Sequence, residues 1–360
     1  MTEPQFTGSM FRQPRTGFAK WGPIVFGTIV LIVALSFPFI VDRPRFWLPN
    51  IGIRSLWLGI IAMSLVFLNR YVGLLSLAQV AIAGVSAYGV GFIVVKMELP
   101  FLAGALVGII VGTLVAVMVG LIAARTKAIY FLMITLAIGQ VFYSWASQSI
   151  EVTNARRGLA PIDRPEFGFI DLTNIQNFYY FALILAIVCY LLCRYMASST
   201  FGLTLQGIRD APDRMRALGY NVFAYRIAAM AFAGFIASVG GVLLVLDRNQ
   251  VDPNVVSLNS TLDVLVVAVI GGIGSLGGVF AGAVVLTLLS NFSQNFTDRY
   301  MTLTGLVFIL VLLFAPTGLA GLSQQVRRLM QRLRRALPEQ ESLSRPPVEK
   351  PEAHTEGNQQ

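Results

Sequence analysis

Residues 197–226 read ASSTFGLTLQGIRDAPDRMRALGYNVFAYR and form the largest charged insertion between apolar runs of this chain. The apolar runs on either side, residues 178–196 and 226–246, are each close to the 20 residues that a helix needs to cross a bilayer. Of the 360 residues, 56% are hydrophobic and only 12% are charged, with a mean hydropathy of +0.70. This composition excludes a soluble globule. We therefore predict an all-α, polytopic transmembrane helical bundle of about ten segments, some of them broken or re-entrant.

Further apolar runs give the other segments. Residues 261–296 are too long for one span and have a glycine-rich centre, GGIGSLGG, so we predict two segments joined by a bend. This centre lacks the lysine and the Ser/Thr of a phosphate-binding loop. Gly274, Gly278 and Gly282 recur every four residues, which permits close helix crossing or a broken helix. The remaining spans are predicted at residues 22–41, 51–71, 73–95, 101–124, 128–147 and 301–320.

The charged insertion itself predicts a short helix. Asp210 and Asp213 have the spacing of a capping box, and Pro212 stands in the first turn, where its missing N–H costs nothing. Arg214 then lies toward the C-terminal end, as does Arg216, where cations interact favourably with the helix dipole. Gly219 can adopt the left-handed conformation that ends a helix, and the next helix should begin near Asn221.

The charge distribution predicts the orientation. With ten segments and the N-terminus inside, the inner side collects sixteen lysines and arginines against nine outside, so both termini are expected in the cytoplasm. The predicted organisation is a cytoplasmic arm (1–21), a transmembrane domain (22–320) that contains the charged insertion, a basic amphipathic helix (321–337) and a disordered tail (338–360). The loop at residues 148–177 is expected to be an ordered external loop.

Composition also excludes most chemistry. Cys189 and Cys193 lie four apart on one helix face, where neither a disulfide nor a zinc set is available, so we interpret them as packing or lipid-facing residues. His354 is the single histidine and lies in the tail. Without paired carboxylates, a nucleophile with its base or a ligand cluster, we expect no enzyme, no metal and no cofactor. The net charge of +9 reflects cytoplasmic anchoring and contacts with membrane lipid rather than nucleic acid.

Polar side chains occur within two predicted spans. In hydrocarbon, a polar group needs a partner, a cavity or a substrate. Two interpretations stay open, hydrogen bonds between helices and a lining of a substrate path. The candidates for the path are Ser76, Gln79, Ser86 and Tyr88 in the third segment and Gln140 and Tyr143 in the fifth.

Three blocks in order resemble one family of transporters. They are GLLSLAQVAIAGVSAYG (73–89), GIRDAPDRMRALGYNVFAYRIAAMAFAGFIASVGG (207–241) and DVLVVAVIGGIGSLGGVFAGA (263–283). Together they resemble the permease subunits of ABC importers for branched-chain amino acids, a family that also includes urea and amide permeases. The resemblance implies a subunit that translocates a small solute in the plasma (inner) membrane of a bacterium or archaeon.

The resemblance also implies partners. Separate ATPase subunits would use the ATP, a second homologous permease would complete a heterodimer, and an extracytoplasmic binding protein would deliver the solute. The alternative is a stand-alone secondary carrier or channel, a class that usually places ionisable residues at mid-membrane, where this chain has almost none. By resemblance, the residues that dock on the ATPase are Arg209, Asp210, Asp213, Arg214, Ala217, Leu218 and Gly219.

Overall fold

The computed structural model describes residues 34–38, 44–126, 128–167, 170–296 and 305. Six helices of this part are long and apolar enough to cross a membrane, and two shorter apolar helices follow them. In chain order we name the main helices α1 (Leu48–Val72), α2 (Gln79–Lys96), α3 (Phe101–Ala123), α4 (Ala128–Gln148), α5 (Ile175–Ser198), α6 (Thr200–Asp210), α7 (Pro212–Ala217), α8 (Val222–Arg248), α9 (Leu258–Gly271) and α10 (Gly278–Phe296).

Short elements complete the described part. Helical turns cover Pro44–Trp47, Ile150–Thr153, Ala155–Arg157 and Pro253–Val256. Strands β1 (Glu166–Phe167) and β2 (Ile170–Asp171) pair antiparallel within the loop between α4 and α5. That loop and the α6–α7 connection follow consecutive spanning helices, so they lie at opposite ends of the bundle. We call these ends the loop end and the α7 end.

The predicted all-α bundle is confirmed, with helix ends shifted by a few residues. The third segment begins later than predicted, because Gly73 has a left-handed backbone with φ of 74° and the chain stays irregular as far as Ala78. The predicted spans at 22–41 and 301–320 lie almost wholly outside the described residues. The N-terminal arm, the basic amphipathic helix and the tail lie outside them as well.

Helices α1, α2 and α8 form the buried centre of the bundle, whereas α3, α4 and α5 are largely exposed. Small residues let the central helices approach closely. An ideal Cβ on Gly241 would lie 2.1 Å from the Ala83 carbonyl oxygen, and one on Gly89 would lie 2.9 Å from the Cα of Gly108. Between helices in lipid, packing replaces the hydrophobic effect as the driving force, so these small residues hold the centre together.

Helices α9 and α10 form a re-entrant hairpin. With 14 residues, α9 is about 21 Å long, which is shorter than the roughly 30 Å hydrocarbon core. The hairpin turns back, and α10 runs antiparallel to the first half of α1. Successive contacts toward the loop end join Gly59 to Phe280, Ser55 to Thr287 and Asn50 to Asn291. Both ends of the hairpin therefore lie at the loop end, and its glycine-rich turn lies near the level of the middle of α1.

Candidate functional site

The charged insertion folds into two helices, of which the sequence analysis predicted only α7. Ser199 is the N-cap of α6, and its side chain accepts a hydrogen bond from the Gly202 N–H. Leu205 and Ile208 are buried on one face of α6 and hold it against the bundle. The signal was present in the sequence as a capping serine followed by apolar residues at helical spacing.

The predicted start and end of α7 are confirmed, but the predicted capping box is wrong. Pro212 opens α7 and Gly219, with φ of 87°, follows it. The N-cap position belongs to Ala211, which offers no side-chain bond. Asp210 is the last residue of α6, so it is not the residue at the N-cap of α7. As predicted, Asn221 begins the following helix, and its side chain accepts a bond from the Ala224 N–H.

Most of the residues expected to dock on a partner form an exposed surface, which we call the α7 surface. It comprises Asp213, Arg214, Arg216, Ala217, Leu218 and Gly219. Leu218 is 72% exposed, although it is apolar and lies among charged neighbours. An ion pair of 2.9 Å joins Arg216 to Asp213. A short helix that exposes a large apolar side chain together with charged ones suits binding to another protein.

Arg209 has a different position from the rest of this set. Its guanidinium donates to the carbonyl oxygen of Arg70 at the end of α1, and its side chain lies against Gly73. It also pairs with Asp210 at 2.8 Å, and this hydrogen bond holds the pKa of the Asp210 carboxyl below its usual value. Arg209 therefore connects α6 to the turn between α1 and α2.

Two of the polar candidates for a substrate path form hydrogen bonds inside the bundle. The Ser86 hydroxyl donates to the Ser238 carbonyl oxygen on α8 at 2.9 Å. Gln79 accepts from the Ser64 hydroxyl on α1 at 3.1 Å, and its amide contacts the Met230 sulfur at 3.7 Å. At these two positions, the interpretation as hydrogen bonds between helices accounts for the polar group.

Three other candidates bury polar atoms without a hydrogen-bond partner in the described part of the chain. These atoms are the Ser76 hydroxyl, the Tyr88 hydroxyl and the Gln140 amide nitrogen. A buried polar group without a partner costs free energy, so each such group calls for an explanation, such as a water molecule, a bound ligand or strain. The Tyr88 ring lies 6.4 Å from the ring of Phe142 on α4.

The remaining candidate, Tyr143, lies half-buried on α4. On the same helix, Ser144 and Gln148 are exposed and bond to each other at 3.0 Å. They line an open groove on the outside of the chain together with Val141, Trp145 and Ser149. The groove thus combines polar and apolar side chains near the loop end of α4.

The packing of α9 against α10 tests the prediction that Gly274, Gly278 and Gly282 lie at a close helix crossing. Gly282 packs tightly against α9, since an ideal Cβ there would lie 2.3 Å from the Val267 carbonyl oxygen. Gly278 packs in the same way, with its carbonyl oxygen 2.5 Å from an ideal Cβ on Gly271. The prediction for Gly274 is wrong: it is exposed in the turn before α10, with nothing within 4 Å of an added Cβ. The helix begins only at Gly278, so Gly274 does not share its face.

Charged groups at the loop end were missed by the sequence analysis. The carboxylate of Asp247, near the end of α8, accepts a hydrogen bond of 2.9 Å from the Trp57 indole on α1. From the loop, Arg164 donates to the Leu246 carbonyl oxygen at 2.9 Å and lies 4.5 Å above the ring of Phe178. Burial lowers the pKa of Arg164, and the nearby Asp247 charge opposes that change. These contacts fasten the loop to the bundle.

The two cysteines are buried within α5, which agrees with a packing role. Among the described residues, no group of three or more His, Cys, Asp or Glu side chains could hold a metal ion.

Comparison with known proteins gives a consistent match. A family model described as "Branched-chain amino acid transport system / permease component" matches residues 47–316. The high-affinity branched-chain amino acid transport system permease protein LivM of Salmonella typhimurium is 22% identical over 335 residues, covering 83% of this chain and 75% of that protein. LivM of Escherichia coli is 21% identical over 340 residues, with 85% and 76% covered. A probable LivH of Methanocaldococcus jannaschii is 25% identical over 254 residues, with 65% and 77% covered.

Proposed function

This chain belongs to the family of permease components of branched-chain amino acid transport systems, and on that premise we propose how it works. It is a multi-pass membrane permease subunit of an ABC importer. Its cargo is a branched-chain amino acid or a similar small solute. It works with a second permease in the membrane, with ATPase subunits at the cytoplasmic face and with a binding protein outside.

The observation that carries the proposal is the α7 surface. Leu218 is an exposed apolar side chain at the C-terminal end of α7, and the charged residues Asp213, Arg214 and Arg216 are exposed on the same short helix. Such a combination has the character of a protein-binding site. We propose that the ATPase subunits bind here. Arg209 then transmits their movement, because it joins α6 to the end of α1.

A second permease would cover the exposed side of the bundle. Ser144 and Gln148 line the groove on the outside of α4, and Tyr143 and Gln140 are further polar residues on the same helix. We propose that the solute passes along this helix, between the two permeases. The partnerless Tyr88 hydroxyl, beside Phe142 of α4, belongs to the same route.

The loop between α4 and α5 would receive the external binding protein. It is ordered, since Leu159 pairs with Val251 and the Ile162 N–H bonds to the Asn249 carbonyl oxygen. The excess of lysine and arginine on the side of the α7 surface supports a cytoplasmic location for that end and for both termini.

Copurification together with uptake tests the proposal. We expect the tagged chain, gently purified from cells that carry its complete transport system, to bring ATPase subunits and a second permease. We also expect ATP-dependent uptake of labelled L-leucine that disappears when the chain is deleted. Recovery of the chain alone, with uptake that does not need ATP, would instead indicate a stand-alone carrier or channel.

A matched pair of variants localises the ATPase contact. Leu218→Glu should release the ATPase while the second permease stays bound. Ile150→Glu changes an equally exposed apolar residue at the loop end, where the ATPase cannot reach. Loss of the ATPase in both variants, or in neither, would contradict docking at the α7 surface.

A further inference from the structure

A cleft opens at the loop end, on the side where an external protein would release its solute. It lies between α1, α8 and the re-entrant hairpin, and its free space is about 30 Å³. Such a volume holds one or two water molecules. The cleft is separate from the groove on α4, and none of the residues predicted from the sequence line it.

Charges of both signs line the mouth of the cleft. Arg248 and Asp263 are exposed there, and Arg54 is half-buried within electrostatic range of Asp263. The Arg248 guanidinium lies 5.9 Å from the ring centre of Trp57, which forms one wall. Two guanidinium groups and one carboxylate around a small opening provide partners for a carboxylate and for an ammonium group.

The floor of the cleft is apolar and buried. Five aliphatic side chains contribute to it, from α1, α2, α8 and α9: Leu58, Ile61, Val80, Leu244 and Val264. Ser260 and Ser290 also line the cleft, near its charged residues. The cleft thus combines charged and hydroxyl groups with a buried aliphatic floor.

We propose that this cleft is a binding site for the free amino acid within the permease, with the zwitterion at the mouth and an aliphatic side chain on the floor. The carboxylate of the ligand pairs with Arg54 and Arg248, and its ammonium group pairs with Asp263. The inference rests on the proposed function, since it assumes that an aliphatic amino acid is the cargo.

The hairpin is the moving wall of this site. The free space is too small for a leucine side chain, so the cleft must widen when it is filled. Asp263 and Val264 lie on α9 and Ser290 lies on α10, whereas the opposite wall belongs to α1 and α8. Displacement of the hairpin would therefore separate the two walls without disturbing the contacts between α2, α3 and α8.

Protection of an introduced cysteine tests the site directly. In the full transport system, Ser290→Cys should react from outside with a charged methanethiosulfonate, and 10 mM L-leucine should slow this reaction at least threefold. Leucinol, which lacks the carboxylate, should protect far less. Glu98→Cys, exposed at the same end in the connection between α2 and α3 and outside both the cleft and the α4–α5 loop, should react at a rate that leucine does not change. The native Cys189 and Cys193 are buried and should not react.

Each contrary outcome overturns the proposal. Leucine that leaves the Ser290→Cys rate unchanged would show that the amino acid does not bind here. A cysteine that is already blocked without leucine would indicate a permanently closed cleft or a lipid headgroup within it.

Charge variants then connect the site with transport. Asp263→Asn should reduce leucine uptake at least tenfold while ATP hydrolysis by the assembled system changes less than twofold, and Glu98→Gln, between α2 and α3 and outside both the cleft and the α4–α5 loop, should change neither. If the unaltered system takes up no branched-chain amino acid, the branched-chain cargo and the cleft proposal both fail, while copurified ATPase subunits would still identify an ABC permease. If the unaltered system transports leucine and Asp263→Asn does so equally well, only the cleft is excluded.

Discussion

The guanidinium of Arg209 donates a hydrogen bond to the main-chain carbonyl of Arg70, 139 positions earlier in the chain. This bond joins α6, beside the α7 surface, to the point where α1 ends and the irregular segment before α2 begins. The side chain of Arg209 also lies against Gly73, whose left-handed backbone makes that turn. A displacement of α6 would therefore act directly on the turn between α1 and α2, which are two helices of the buried centre.

Replacement of Arg209 should uncouple transport from ATP hydrolysis. We expect Arg209→Ala to reduce ATP-driven uptake at least tenfold, because α6 would no longer pull on the end of α1, while the ATPase stays bound through Leu218. Arg209→Lys keeps the charge but not the planar fork, so it should recover only part of the uptake. Uptake and ATP hydrolysis measured on the same vesicles check this. Normal uptake in Arg209→Ala would remove the Arg70 contact from the mechanism.

Gly219 should tolerate only residues that accept a left-handed backbone. With φ of 87° and nothing within 4 Å of an added Cβ, the restriction comes from the backbone and not from space. Valine there costs about 1–2 kcal/mol of local strain, so Gly219→Val should distort the end of α7 and weaken copurification of the ATPase. Gly219→Asn, which adopts this conformation more readily, should retain most of it. Equal recovery with both variants would contradict this explanation.

Two glycines of the hairpin region should differ in how strongly a substitution lowers stability. Gly282→Val places a side chain where an ideal Cβ would be 2.3 Å from the Val267 carbonyl oxygen, so α9 and α10 must separate. Overpacking of this kind costs about 1–3 kcal/mol. Gly274→Ala adds a methyl group in open space and should be neutral. Thermal unfolding of both purified variants in detergent measures the difference, and similar unfolding temperatures would argue against the crossing.

Ser86 and Tyr88 lie two residues apart on α2 and should separate stability from transport. Ser86→Ala removes the bond to the Ser238 carbonyl, and it should lower stability by about 0.6 kcal/mol with little effect on uptake. Tyr88→Phe removes a hydroxyl without a hydrogen-bond partner in the described part, so stability should not fall, whereas uptake should. The two variants are compared by thermal unfolding and leucine uptake. Full uptake in Tyr88→Phe would exclude its hydroxyl from the solute path.

Hydropathy was sufficient to predict the helices because each spanning segment must satisfy its backbone within itself. The bend in residues 261–296 was also predictable, since GGIGSLGG interrupts an apolar run that is too long for one span. Local chemistry placed Pro212 at the start and Gly219 after the end of α7 correctly. These features depend on residues close together in the chain.

The errors concern residues whose roles depend on distant partners or on the preceding element. Asp210 could not be recognised as the end of α6 until that helix was known, so its capping role was predicted wrongly. Asp247 contacts Trp57 across 190 positions, and nothing local in the sequence indicates that its carboxylate is partly buried against that ring. Gly274 shares the spacing of Gly278 and Gly282, but spacing defines a face only within one continuous helix.

The re-entrant hairpin has a consequence for the order of biogenesis. Ser55 and Thr287 bond across 232 positions, and ribosomes add about 5–20 residues per second, so α1 waits roughly 10–50 seconds in the membrane before α10 exists. Helix α9 is shorter than the hydrocarbon core and both ends of the hairpin lie at the loop end, so the hairpin is not fixed by spanning the bilayer. We expect it to reach its position by packing against α1. A chain released before residue 258 would therefore be inserted but incompletely folded. It would expose a groove along α1 that quality-control proteases could recognise.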